Sequence, residues 1–193
     1  ATGVSDMAWY DMAVGLRAYR LSYLYQAANA AGMLDMEQRK AFWLSLEEHR
    51  AELADDANIA FHNNHGYYQV AGQLAMGRRF SDLSGPMAGL YHQGKARLAR
   101  MLDQQFTKEG VHREHSPDYH RMVLDTLLGL FRAGLVEDPE LQARIETIET
   151  ALAWFVAPNG TIVNFGDSDT RSLLRSRKAA LRKWTTPAMQ SVT

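Results

Sequence analysis

The sequence predicts an all-α fold of antiparallel helical hairpins, and three observations carry that expectation. Apolar residues recur at three- and four-residue steps through most of the 193-residue chain, the spacing that places them on one face of an α-helix. Residues that start and stop helices frame those runs at similar intervals. One stretch, Pro158 to Asp167, carries turn-forming and β-prone residues instead.

The first helix is expected from about Ser5 to Ala31, through Trp9, Met12, Ala13, Leu16, Tyr19, Tyr23 and Leu24, with Gly32 as its stop. A second runs from about Asp35 to Ala57 and carries Phe42, Trp43, Leu46 and Leu53. A third begins near Asn63, with Tyr67, Val70, Ala71, Leu74 and Ala75 at helical spacing. A fourth covers roughly Gly89 to Phe106 through Leu90, Ala96, Leu98 and Leu102. Ser116-Pro117-Asp118 opens the fifth, with serine as cap and proline at the first helical position, and Gly134 closes it after Arg132. Asp138-Pro139 opens the sixth in the same way, ending before Pro158. Asn159-Gly160 is a turn signal and Thr161 to Phe165 a short β-prone run; a last helix follows from Ser168 or Asp169 to about Trp184. Helices of similar length with short links suit a bundle, a solenoid or part of an α/α toroid, and periodicity alone does not choose among them.

Composition narrows the chemistry. Hydrophobic residues make up 46% and charged residues 22%, an ordinary globular balance, and the length suits a single domain over residues 1–193. The absence of cysteine excludes disulfides, thiolate metal sites and a cysteine nucleophile. The net charge of −1 names no partner. A basic run from Arg171 to Lys183 holds six cations and no acid; no nucleic-acid reading motif accompanies it, so no nucleic acid is expected. No apolar run is long enough to cross a bilayer. The start, Ala1-Thr2-Gly3-Val4, has neither the basic nor the apolar part of a signal peptide, which suggests a processed product or a piece of something longer.

Six of the seven histidines lie between His62 and His120. Two spots are dense: Phe61-His62-Asn63-Asn64-His65-Gly66-Tyr67-Tyr68, and Glu109-Gly110-Val111-His112-Arg113-Glu114-His115-Ser116-Pro117-Asp118-Tyr119-His120. Each spans a loop and the first turn of the next helix, where backbone N–H groups and the helix dipole favour an anion. A single histidine or asparagine there is ordinarily a cap or a surface residue; two such clusters on one scaffold point to a site. A metal is the rival reading, because His62/His65 and His112/His115 are H-x-x-H pairs. They lack a carboxylate at zincin spacing, and no H-E-x-x-H is present, so neither metal nor other cofactor is expected.

In this order, Asn63-Asn64-His65-Gly66, the Glu-Gly-x-x-x-Glu-x-Ser-Pro-x-Tyr-His string from Glu109 to His120, and Pro158-Asn159-Gly160 leading to Gly166-Asp167-Ser168-Asp169 resemble heparinase II/III-type lyases, the heparin, heparan sulfate and alginate lyases among them. The resemblance covers about Asn63 to Asp169. It implies part of an incomplete α/α toroid whose usual partner, a large β-sandwich domain, has no counterpart in these residues, so the chain alone is expected to lack part of the cleft. It also implies a periplasmic or secreted enzyme acting on an anionic polysaccharide.

The implied reaction is β-elimination at a 4-linked uronate: loss of the C5 proton and expulsion of O4. Asn64 matches the amide that binds the substrate carboxylate and disperses the charge developing beside it. His65 matches a histidine that contacts the same group or takes the proton. Tyr119 matches the tyrosine that protonates the leaving oxygen, with Arg113 or Arg121 as a nearby cation able to make it a base as well. These three are expected to converge on one concave surface, with Asn63, Tyr68, Arg113, Glu114 and His120 binding substrate. Glu109-Gly110 departs from the family's usual Asp-Gly, and His112 and His115 stand outside its pattern. The competing functions are a non-catalytic glycan-binding or structural helical domain and, further off, a metal-dependent hydrolase.

Overall fold

The computed structural model describes residues 6–82, 87, 89–158 and 160–168. The expected last helix beyond Ser168, the basic run Arg171–Lys183, Asn159 and Asp169 lie outside the described residues. Six α-helices occur among the described residues: α1 (Asp11–Ala30), α2 (Met36–Ala54), α3 (His65–Arg79), α4 (Leu90–Gln105), α5 (Pro117–Arg132) and α6 (Pro139–Leu152). The chain divides into two compact units, Ala1–Met101 and Leu102–Thr193.

In the first unit α1 packs along α3 at backbone distance. A Cβ on Gly15 would lie 2.2 Å from the Tyr68 carbonyl oxygen, and one on Gly72 would lie 2.4 Å from the Gly15 carbonyl oxygen. The buried stripe of α1 is therefore Val14, Gly15, Ala18 and Ser22. Tyr23 and Leu24, which the periodicity placed among the apolar positions, are 56% and 52% exposed. The reason is steric: close approach of two backbones selects small residues over large ones. The helix also begins later than expected, because Asp6–Trp9 forms a separate 3₁₀ turn and Tyr10 is extended.

Asp35 opens α2 with a reciprocal capping box, its side chain accepting from Gln38 N while the Gln38 side chain accepts from Asp35 N. Leu46 and Leu53 are fully buried, and join Val14, Ala18, Ile59, Met76, Phe80, Met87 and Leu90 in one core cluster. All five apolar residues expected on α3 are buried. The C-terminus of α2 ends on a buried cation. Arg97, 4% exposed, donates to the carbonyls of Leu53 and Ala54, to Gln73 Oε1 at 3.0 Å and to Asp56 Oδ1 at 2.6 Å. It thus satisfies carbonyls that a helix end leaves open, and its own charge is compensated by Asp56.

The second unit packs α5 on α6 through Val123, Leu124, Leu127 and Leu130 on one side and Leu141, Ile145 and Ile148 on the other, all buried. Both helix starts are built as the sequence indicates. Ser116 Oγ accepts from Tyr119 N, and Asp138 Oδ1 accepts from Glu140 N and Leu141 N, with proline at the first helical position each time. Gly134 takes φ 66° just past α5. The β-prone run reduces to one antiparallel bridge, Val156 with Ile162. A second bridge, Phe106 with His112, closes the turn after α4, a pairing without signal in the local sequence.

Candidate functional site

The Asn-Asn-His-Gly block sits where the loop after Ile59 enters α3. Gln69, one turn into the helix and buried, holds that loop by its side-chain amide: Ala60 N donates to Gln69 Oε1 at 2.9 Å, and Gln69 Nε2 donates to Asn58 O at 2.7 Å. Gly66 lets the loop press against the helix, since a Cβ there would lie 2.3 Å from the Ala60 carbonyl oxygen. Asn63 Oδ1 accepts from His65 N at 2.9 Å, which caps the helix in place of Asn64. Asn64 has helical φ and ψ, and its side chain does not cap α3. The cluster is half-buried at Asn63, Asn64, His65 and Tyr68 and exposed at His62.

His65 has a partner that its neighbourhood in sequence does not reveal. Its Nδ1 lies 3.0 Å from Asp11 Oδ2, with the two side chains 29% and 22% exposed. Asp11 is the first residue of α1, and its other oxygen accepts from Met12 N. The Tyr10 ring stands edge-on to the imidazole, 6.1 Å between centroids.

The block before α5 is built differently. His120 is buried, and both ring nitrogens are bonded to backbone: Nε2 to the Ile148 carbonyl at 2.9 Å, Nδ1 accepting from His112 N at 3.4 Å. That pattern fixes a neutral ring protonated on Nε2. Phe106 and Phe155 flank it edge-on, each with its centroid 5.7 Å away. His112 is equally buried; its Nδ1 accepts from Glu114 N, and its Nε2 has no hydrogen-bond partner among the described residues. Burial lowers the pKa of both rings, His112 to about 4, with His120 and His115 adding like-charge repulsion to the burial of His112. His120, expected to bind substrate, is 1% exposed, with both ring nitrogens turned to backbone partners.

Ser116 ties two of the sequence blocks together. Beyond capping α5, its hydroxyl donates to Asp167 O at 3.1 Å and meets Ser168 Oγ at 3.1 Å. His115, at φ 55°, turns its carbonyl onto Gly166, where a Cβ would lie 2.6 Å from that oxygen. The Ser-Pro-x-Tyr-His and Gly-Asp-Ser blocks are therefore neighbours in space. Glu114 has a raised pKa, first from burial and then from the nearby Asp167 carboxylate. Arg113 is exposed, and its N–H donates to Gln105 O. Tyr119 is half-buried on the first turn of α5, where its backbone N–H donates to Ser116 Oγ. Arg121, the other cation named beside it, pairs with Asp118 and Asp125. A small cavity of about 150 Å³ runs between Val111, His112, Pro117, Phe155 and Phe165.

Asn63, Asn64, His65 and Tyr68 thus share one helix start in the first unit, and Arg113, Glu114 and Tyr119 share another in the second. Neither H-x-x-H pair gathers further ligands: among the described residues no group of three or more histidine, aspartate or glutamate side chains could hold a metal ion. Sequence reasoning missed Asp11, Gln69 and Asp167. Only Asp167 carried a signal, as part of the Gly-Asp-Ser-Asp string.

A helical chain with asparagine, histidine and tyrosine set at helix starts is the class of protein that these observations define. A family model described as Heparinase II/III N-terminus matches residues 1–188, and the chain belongs to that family. No curated protein and no solved structure matches it. No helix among the described residues is long and apolar enough to cross a membrane.

Proposed function

We propose that this chain is the helical part of a polysaccharide lyase that cleaves a 4-linked, uronate-containing anionic glycan by β-elimination, with residues 1–193 acting as one domain. The observation that carries the reading is the start of α3, where Asn64 and His65 lie side by side, partly open to solvent, on a loop held by Gln69. An amide set at the positive end of a helix suits a substrate carboxylate. Neutralising that carboxylate makes the C5 proton removable, and a preorganised donor does so without reorganisation cost. His65 then takes the C5 proton, and Tyr119 gives its phenolic proton to O4 as the C4–O4 bond breaks and C4=C5 forms. Asn63, Tyr68, Arg113 and Glu114 contact the flanking sugars. Such a protein works in the periplasm or outside the cell, beside a β-sandwich domain that completes the cleft, a reading supported by membership of the Heparinase II/III N-terminus family.

The test is ultraviolet absorbance of a 4,5-unsaturated uronate while the protein is incubated, in chelator, with heparan sulfate, hyaluronan, alginate and bacterial capsule polymers. A rise with one of them supports the lyase. New reducing ends without unsaturation, dependent on added metal, would point to a hydrolase. Binding without any cleavage would point to a glycan-binding domain.

A further inference from the structure

We infer that Asp11 is a positioning residue for the reaction: it accepts the Nδ1 proton of His65 and so presents Nε2 as the proton-accepting atom. The inference rests on the lyase reading for its consequence, although not for its geometry. The Nδ1–Oδ2 distance is 3.0 Å and the partners are 54 positions apart in sequence, so the pair is made by the fold and not by a local turn. Both side chains are more than two-thirds buried, which shields the contact from competing water. The aspartate is itself held, because its second oxygen is engaged by Met12 N at the start of α1. The His65 backbone is fixed in turn, since its N–H donates to Asn63 Oδ1, and Tyr10 stands edge-on to the ring.

A carboxylate can only accept. The neutral ring facing it therefore carries its proton on Nδ1, which leaves a lone pair on Nε2. That choice separates two roles for the histidine. A ring that merely contacts the substrate carboxylate needs a proton on Nε2; a ring that takes the C5 proton needs the lone pair there. Asp11 selects the second role and leaves the carboxylate to Asn64. The step balances: the C5–H bond breaks, its electrons pass to the enolate-like intermediate, and the proton ends on Nε2 of an imidazolium whose charge faces Asp11. Expulsion of O4 then takes the proton of Tyr119, and solvent returns the ring and the phenol to their starting states. An asparagine at position 11 can turn its NH₂ toward Nδ1 and stabilise the opposite tautomer, with almost no change in shape.

The experiment is nitrogen-15 NMR of the His65 ring in the full chain at a pH where the ring is neutral, alongside steady-state elimination kinetics, for the wild type, Asp11→Asn and Asp11→Glu. In the wild type the proton is expected on Nδ1; Asp11→Asn should move it toward Nε2. The same change should lower kcat by ~10²-fold or more with KM little altered, as loss of a general base does, and Asp11→Glu should recover part of it. A wild-type ring protonated on Nε2, or a tautomer that ignores Asp11→Asn, would overturn the inference. So would a switched tautomer with full activity. If the tautomer follows position 11 but no variant, wild type included, eliminates any uronate polymer, the pairing stands and the lyase reading fails.

Discussion

At the start of α3 a histidine faces a carboxylate and stays partly open to solvent; before α5 two histidines lie beneath aromatic rings with their bonded nitrogens given to backbone. The two regions have similar composition and opposite physics. In the first, side chains order one another and His65 keeps 29% of its side chain open to solvent, the arrangement that chemistry needs. In the second, imidazoles serve as buried connectors: His120 links the His112 backbone to the Ile148 carbonyl, and Ser116 links α5 to Asp167 and Ser168. Tyr119, set between the buried Ser116 and His120 in sequence, is half-buried, as is Asp118. The lesson is that a histidine's role follows from what its nitrogens bond to, more than from the company it keeps in sequence.

The largest expected effect tests whether the second region contributes chemistry only through Tyr119. Tyr119→Phe should lower elimination by ~10²–10⁴-fold, the worth of a general acid, with polymer binding and melting temperature nearly unchanged. Full activity would remove the second region from the mechanism. Asn64→Ala should cost ~10²–10³-fold in turnover, the worth of one donor to a developing anion, and should weaken binding as well, because the amide meets the carboxylate before and during reaction.

The next effect is on stability and separates the regions by pH. The His112 pKa is lowered from 6.5 to about 4, and that of His120 is lowered too, chiefly by burial. An unfolded ring takes a proton near 6.5 and the folded one only near 4, so the unfolded state binds more protons between those values. Stability is retained above that window and falls as pH drops through it, by a few kcal/mol in all for a shift of this size. Denaturant midpoints measured from pH 7 to 4 should show the slope, and His112→Gln should flatten it. A slope unchanged in His112→Gln would mean that other groups set the acid limit.

These regions also show what the sequence made legible. The starts of α5 and α6 were readable because Ser-Pro and Asp-Pro are local devices whose bonds close within three residues. The buried face of α3 was readable because large apolar residues line it. The face of α1 was not, since Gly15, Ala18 and Ser22 give no hydrophobic signal and owe their burial to α3. Asn64, His65 and Tyr119 were picked out by a resemblance, whereas Asp11 was invisible because only the fold brings it to His65. His120 was expected to bind substrate, and its burial was not legible because it depends on a carbonyl 28 residues away. The smallest effect probes that limit: Gly15→Ala should destabilise the first unit by ~1–3 kcal/mol, as overpacking does, seen as a lowered urea midpoint. No change would mean that α1 and α3 can separate freely.

The most direct measurement is the elimination rate per folded molecule for His65→Gln and His120→Gln, each paired with its denaturation curve. His65→Gln is expected to lose ~10²–10⁴-fold in rate with its midpoint nearly unchanged. His120→Gln is expected to keep its rate and to lose ~1–3 kcal/mol of stability from the polar groups it leaves unpaired. A His65→Gln protein that eliminates normally, or a well-folded His120→Gln protein that does not eliminate, would contradict these roles.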